Sequence, residues 1–198
     1  MLEVPGINEV GIDESGRGTL FGSVIAAAVV LPTTIEPWME KLNDSKKLSE
    51  KQRKILAKEI MANAIAWGVG ETTAEEIDDT NILRASILAM HRALDSLSNP
   101  ITINKIYIDG NYFLPYEGIN YKCIVGGDGK RMDIAAASIL AKVFRDNQMI
   151  EMCKSDTELI KYGIEKNKGY GTKVHMDAIK EYGAHKYHRK TFAPICNK

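Results

Sequence analysis

Residues 23–31, SVIAAAVVL, closed by Pro32, constrain the fold more than any other stretch of the chain. The run lacks the polar–apolar alternation of a strand with one wet face, so it suits a strand covered on both sides. It is also far short of the roughly 20 apolar residues that a membrane helix needs. Residues 9–14 read as a second strand that ends in the turn-rich Ser15-Gly16-Arg17-Gly18. The two lie close in sequence, so an antiparallel pair is expected.

The rest of the chain supplies the cover. Ser49 with Gln52 three residues later is a capping box, and a helix is expected over 52–64. Residues 65–72 fit a strand, 74–79 a short acidic helix, and 82–97 a helix with apolar positions Ile82, Leu83, Ile87, Leu88 and Leu94 at helical spacing. Residues 105–109 (KIYID) form a strand stopped by Gly110. Residues 121–125 form another, opening into Gly126-Gly127-Asp128-Gly129. A long helix over 134–153 begins alanine-rich, and a last helix covers 172–182. This order predicts an α/β layer fold around a mixed sheet. With 198 residues and no repeat, low-complexity tract or linker, one domain (1–198) is expected, carrying a basic helical segment from about 155 to the end.

The acids mark a site. Asp13 and Glu14 close the first strand, Asp109 closes the fourth, and Asp128 follows the fifth. Sites in open α/β sheets form beyond strand ends. Carboxylates delivered there from three strands make an all-oxygen pocket, which hard cations such as Mg²⁺ or Mn²⁺ prefer. Two such ions ~4 Å apart suit phosphoryl transfer. An acid at a strand end is, by itself, ordinarily a turn residue or a cap. The reading rests on the four together and on their strands being neighbours. Consecutive strand residues face opposite ways, so Asp13 and Glu14 cannot both point inward along a regular strand. Asp13 is expected at the centre and Glu14 at the periphery. Gly16, Arg17 and Gly18 follow at once, either as a plain tight turn or as a backbone that faces a phosphate or sugar.

These residues carry a resemblance. GIDESGRG, DSKKL, IDGN, GGD, AAASILAKVFRD, NKGYGT and HRKTF occur in this order between residues 11 and 192. Together they resemble the type 2 ribonuclease H family, ribonuclease HII, and the arginine of GRG favours it over ribonuclease HIII. The resemblance implies a ribonuclease H-like sheet of five strands, order 3-2-1-4-5 with one antiparallel strand. It implies an endoribonuclease that hydrolyses the RNA strand of RNA–DNA hybrids and nicks 5′ to ribonucleotides embedded in DNA, leaving 5′-phosphate and 3′-hydroxyl ends. Two divalent ions would be held by Asp13, Glu14, Asp109 and Asp128. Gly16, Arg17 and Gly18 would read the ribonucleotide, and Tyr170 would stack beneath its sugar and sense the 2′-hydroxyl that separates RNA from DNA.

Other residues are expected to support that chemistry. Lys46 and Lys47 precede the capped helix, and Ser138, Lys142 and Arg145 share one helical stripe; these are assigned to the phosphates. Asp146 is read as an ion-pair partner of Arg145. His175, His185 and His188 are read as structural or phosphate contacts rather than catalysts. Tyr162, Tyr182 and Tyr187 are read as core.

Three positions depart from the family pattern. Thr19 and Gly171 stand where prolines are common, which is expected to loosen their loops. Gly126 stands where a lysine is common, which removes a positive charge beside the site.

Charge and cysteines bound the remaining readings. With 26 basic and 26 acidic residues, the zero net charge excludes a protein that coats nucleic acid by bulk electrostatics. It conceals a basic end: from residue 161, Lys161, Lys166, Lys168, Lys173, Lys180, Lys186, Arg189, Lys190 and Lys198 outnumber Glu165, Asp177 and Glu181. Cys123, Cys153 and Cys196 form neither a disulfide framework nor a metal knuckle. A cytoplasmic monomer with no membrane contact is expected. The final residues, 193–198, show no clamp-binding tail. Two other readings remain: a non-catalytic binder of RNA–DNA hybrids, and another ribonuclease H-like nuclease such as a junction resolvase.

Overall fold

The apolar run becomes the buried centre of a five-stranded sheet. In the computed structural model, which describes residues 1–197, the strands are β1 (Glu9–Ser15), β2 (Val24–Val30), β3 (Ala66–Thr72), β4 (Lys105–Asp109) and β5 (Tyr121–Ile124). Lys198, counted above among the bases, lies outside the described residues. The spatial order is β3-β2-β1-β4-β5. β2 runs antiparallel to both β1 and β3, while β1, β4 and β5 are parallel. This is the order the resemblance implies.

Every residue of β2 is buried, because its two faces feed two cores. Val24, Ala26, Ala28 and Val30 join Ile12, Ile106 and Ile108 under helix α3 (Ile82–Asp95). Ala27 and Val29 face α1 (Glu50–Asn63) and α4 (Met132–Ser155). Full burial of a side chain such as Ile139 or Leu140 on α4 contributes roughly 1.5–3 kcal/mol. The Ser49–Gln52 capping box starts α1 as expected. On α3, Leu83 and Leu88 stand exposed while Ile87 and Leu94 pack inward.

α4 begins two residues before its expected start. Arg131, just ahead of it, is clamped by Glu3, Glu9 and Asp133 at 2.8, 2.8 and 2.9 Å, which pins the first turn. That turn lies directly on β1. A side-chain carbon at Gly11 would come within 2.3 Å of the Asp133 backbone, so only glycine admits the helix here. This close approach carries Ser138 to the strand end that bears Asp13.

Beyond α4 the chain folds back through α5 (Ile164–Asn167) and α6 (Lys173–Tyr182), after a short acidic helix, α2 (Ala74–Asp79), earlier in the chain. A third apolar cluster fixes this C-terminal segment. Leu20 and Phe21 meet Met149 and Cys153 of α4 together with Leu159, Tyr162, Ile164 and Ile179. Tyr162 is core as expected, whereas Tyr182 and Tyr187 are exposed, because their rings lie on the outer surface of the segment. Among the described residues no helix is long and apolar enough to cross a membrane.

Candidate active site

Register brings the acids together. The parallel ladder between β1 and β4 runs from Glu9↔Lys105 to Ile12↔Ile108 and stops there. The next residues, Asp13 and Asp109, stand where the strands part. β1 continues only with β2 (Asp13↔Ala27, Glu14↔Ala26), and β4 only with β5 (Asp109↔Ile124). Residues opposite each other on neighbouring strands share a face, so Asp13 and Asp109 both rise on the α4 side. Glu14 leaves β1 on the other face. The strand stays regular through both acids to Ser15, so they reach the opening from opposite faces.

The opening is a cleft of about 280 Å³. Asp13, Glu14 and Asp109 line it with Arg17, Lys46, Ser138, Lys142, Tyr170 and the backbone of residues 15–18. Asp109 Oδ1 accepts from the Gly127 N–H at 2.7 Å, which ties the Asp128 turn to the end of β4. Asp13 Oδ1 accepts from the Glu14 N–H at 2.7 Å.

The negative charge is crowded. Burial, then the charges of Glu14 and Asp109, push Asp13 well above the usual carboxylate range. Burial also raises Glu14; Arg17, 3.3 Å away, works against that rise and Asp109 with it. Asp128 is raised by burial and by Asp109 and Asp44, against the pull of Lys46. For Lys46 burial favours the neutral amine, but Asp128, Asp44, Asp13 and Asp109 outweigh it and raise its pKa. Carboxylates this poorly compensated, offering oxygen donors only, fit hard divalent cations. Among the described residues no three or more acid, histidine or cysteine side chains are already grouped so as to hold a metal ion. Asp13, Glu14, Asp109 and Asp128 are the carboxylates available to such a cation.

Asp44 was missed by sequence reasoning, which credited its loop only for Lys46 and Lys47. It caps the turn of residues 45–47, accepting from the Lys46 N–H at 2.9 Å. An aspartate ahead of two lysines reads as a cap, and only the fold sets it beside Asp128. The charge absent at Gly126 is met from this same loop, since Lys46 faces Asp128, Asp13 and Asp109. Lys47 is exposed and lies outside the cleft lining.

The other assigned residues divide sharply. Tyr170 is 42% exposed on the cleft wall, with Lys142 Nζ 5.6 Å from its ring centre. Ser138 lies beside Asp13 and donates to Ser45 Oγ at 2.8 Å. Arg145 is corrected: it is fully buried, not a surface phosphate contact. Its guanidinium donates to the carbonyls of Ser23, Phe21 and Lys168 and to Thr19 Oγ1, at 2.8–3.1 Å. Asp146 pairs with Lys142 at 2.8 Å instead of Arg145, because i, i+4 residues meet on one helical face while neighbours in sequence do not. Thr19 also differs from expectation. It is fully buried, and its hydroxyl reaches the Gly16 and Phe21 carbonyls (3.0 and 3.1 Å), so hydrogen bonds stitch the loop that a proline would stiffen.

Two of the histidines are interior. His175 and His188 are buried with their Nε2 atoms 2.9 Å apart. The His185 N–H donates to His188 Nδ1 at 2.7 Å, which leaves the proton of His188 on Nε2. His188 then donates to His175, whose Nδ1–H donates to the Tyr170 carbonyl at 2.9 Å. Burial keeps both rings neutral, with His188 lowered to about 4.

Comparison with known proteins bears on the family and the fold. Residues 10–195 match the family model for ribonuclease HII. The ribonuclease HII of Porphyromonas gingivalis is 50% identical over 189 residues, covering 96% of this chain and 90% of that protein. The ribonuclease HII of Parabacteroides distasonis is 52% identical over 184 residues, covering 93% and 89%. In structure, the chain is similar to the crystal structure of ribonuclease H2 from Pyrococcus horikoshii OT3. That match has a TM-score of 0.77 at 26% identity, over 96% of this chain and 95% of the other.

Proposed function

The chain belongs to the ribonuclease HII family, and from that premise we propose that this metal-dependent endoribonuclease cuts the RNA strand of RNA–DNA hybrids and nicks 5′ to a ribonucleotide embedded in DNA. The observation that carries the reading is the end of the β1–β4 ladder at Ile12↔Ile108, which sets Asp13 and Asp109 at the mouth of a cleft walled by Arg17 and Tyr170. Asp13, Glu14, Asp109 and Asp128 would hold the Mg²⁺ or Mn²⁺ ions, with Asp13 at the centre of the set and Glu14 at its edge. Bound there, such ions supply an activated water and neutralise the charge that develops on the leaving oxygen.

The chain's own residues do the rest. Gly16 and Arg17 turn their carbonyls inward, to Arg189 at 2.7 and 2.9 Å. In a trans peptide the N–H points opposite to the C=O, so the N–H groups of Arg17 and Gly18 point away from the interior, toward the cleft that both residues line. They bind the sugar–phosphate of the ribonucleotide. Tyr170 offers a flat face to the sugar and a hydroxyl to the 2′-OH. Lys46 and Lys142 hold the phosphate in place, with Lys47 and the basic segment 155–198 gripping the duplex farther out. The products are a 5′-phosphate and a 3′-hydroxyl, and residues 1–198 act as one catalytic domain in a monomer.

The test is a DNA duplex with one ribonucleotide, incubated with Mg²⁺ or Mn²⁺. A single cut on the 5′ side of that nucleotide, slowed by on the order of 10²–10³ in Asp109→Asn, is expected. An uncut duplex, or an unchanged rate in Asp109→Asn, refutes the reading.

A further inference from the structure

Three arginines are fully buried, and they are neutralised differently. Arg131 sits among three carboxylates. Arg145 and Arg189 form no ion pair among the described residues. Buried charges are ordinarily paired. Here backbone carbonyls take that role, and they all belong to the two elements that face the substrate.

The bonds fall in a pattern. Arg189 donates to the carbonyls of Gly16, Arg17 and Gly22 at 2.7, 2.9 and 3.0 Å. Arg145 donates to Phe21, Ser23 and Thr19 in the same segment and, with its other arm, to Lys168 two residues before Tyr170. Leu20 N–H to the Gly169 carbonyl, at 2.9 Å, closes the link between the two elements. A side-chain carbon at Gly16 would lie 2.2 Å from Arg145 Nε, so the first glycine of the loop is the space the guanidinium fills. Burial and the neighbouring Arg145 hold Arg189 down at about 9, which leaves it charged at neutral pH.

We propose that Arg145 and Arg189 are positioning residues for ribonucleotide recognition: they hold the carbonyls of residues 16–23 and of Lys168, and so fix the Arg17 and Gly18 N–H groups at a set distance from Tyr170. Their charge, in no ion pair among the described residues, lies directly beneath the loop and favours an anion above it, the phosphodiester of the substrate. Thr19 belongs to the same device, since its hydroxyl accepts from Arg145 Nη2 at 2.9 Å while reaching the Gly16 carbonyl. The inference rests on the reading of residues 16–18 and Tyr170 as the part that recognises the sugar.

The experiment compares two duplexes of one sequence, all-DNA and with a single ribonucleotide. Binding is measured by fluorescence anisotropy in chelator, and kcat and KM with Mg²⁺. Thr19→Val removes the hydroxyl at nearly constant volume. Arg189→Lys keeps the charge and loses the fork that spans three carbonyls. Both are expected to lose the preference for the ribonucleotide duplex by about tenfold, with KM rising more than kcat falls, while Thr19→Ser retains it. Circular dichroism identifies folded variants, and if Arg189→Lys does not fold, Thr19→Val decides alone. A folded Thr19→Val that keeps the wild-type preference, or that loses kcat alone, overturns the inference. Preference kept in Arg17→Ala, or absent from the wild type, overturns the reading beneath it and the inference with it.

Discussion

The cleft has two walls with opposite charge problems. At the strand ends, Asp13, Glu14, Asp109 and Asp128 crowd negative charge that side chains only partly offset, through Arg17 and Lys46. Beneath the loop of residues 16–18, Arg145 and Arg189 bury positive charge with no ion pair among the described residues, Asp146 and Asp78 acting on them only from farther off. Three of the acids, Asp13, Glu14 and Asp109, line the opening, and Asp128 stands in the turn tied to Asp109. The arginines lie inside, and carbonyl dipoles satisfy them. The difference separates two ways of spending charge: one wall keeps it available for chemistry, and the other commits it to shape.

Removing one member from each wall breaks that comparison most directly. Asp109→Asn is expected to lower kcat by on the order of 10²–10³. It leaves the metal-free protein no less stable, because it relieves repulsion at Asp13 while Asn Oδ1 still accepts from Gly127. Turnover and urea denaturation of the same preparation check both halves. Arg145→Met is expected to do the reverse at the level of the fold, costing about 3–5 kcal/mol by urea denaturation, since Thr19, Phe21, Ser23 and Lys168 lose a donor inside the protein. A cost under about 1 kcal/mol would show that its carbonyls are readily hydrated, and the contrast would collapse.

The histidine pair sharpens the comparison, being buried next to Arg189 but neutral. The unfolded chain protonates His188 near 6.5, the folded protein only near 4. The pair's contribution is therefore complete above pH 6.5 and is lost as pH falls toward 4. The loss amounts to roughly 3 kcal/mol. The difference in stability between wild type and His188→Gln should shrink across that window, and a constant difference would refute the tautomer chain to Tyr170. The smallest effect is expected at a half-exposed pair on the surface. Glu76 holds Arg92 at 2.6 Å, its carboxyl lowered to about 2 by that hydrogen bond, yet Glu76→Gln should cost only about 0.5 kcal/mol in water and salt.

Much of the scaffold was legible. The unbroken apolar character of residues 23–31 required cover on both faces, and β2 received it. The Ser49–Gln52 box placed α1, and of the acids expected at strand ends Asp13, Glu14 and Asp109 line the cleft, while Asp128 stands in the turn after β5, outside that lining. Tyr170, between Gly169 and Gly171, was expected on an exposed loop and lines the cleft. Arg145 was misread for a physical reason. An arginine one turn from a lysine on a helix looks like a solvated stripe, and its burial depends on carbonyls at 21, 23 and 168 that spacing along the helix does not reveal. Thr19 was misread likewise, since its hydroxyl gains its partners only when residues 16–21 curl around it.

By itself, then, the sequence determined which segments are strands and helices, which acids end strands, and the family. The elements and strand-end acids follow from local periodicity, capping and residue type, and the family from the resemblance its ordered motifs carry. Only the tertiary structure decided that the β1–β4 ladder stops at Ile12↔Ile108, leaving Asp13 and Asp109 side by side, and that one guanidinium reaches both the loop of residues 16–23 and the turn before Tyr170. Register and burial are relations between residues far apart in the sequence, and the packing of α4 on Gly11 and of the C-terminal segment on Phe21 sets them.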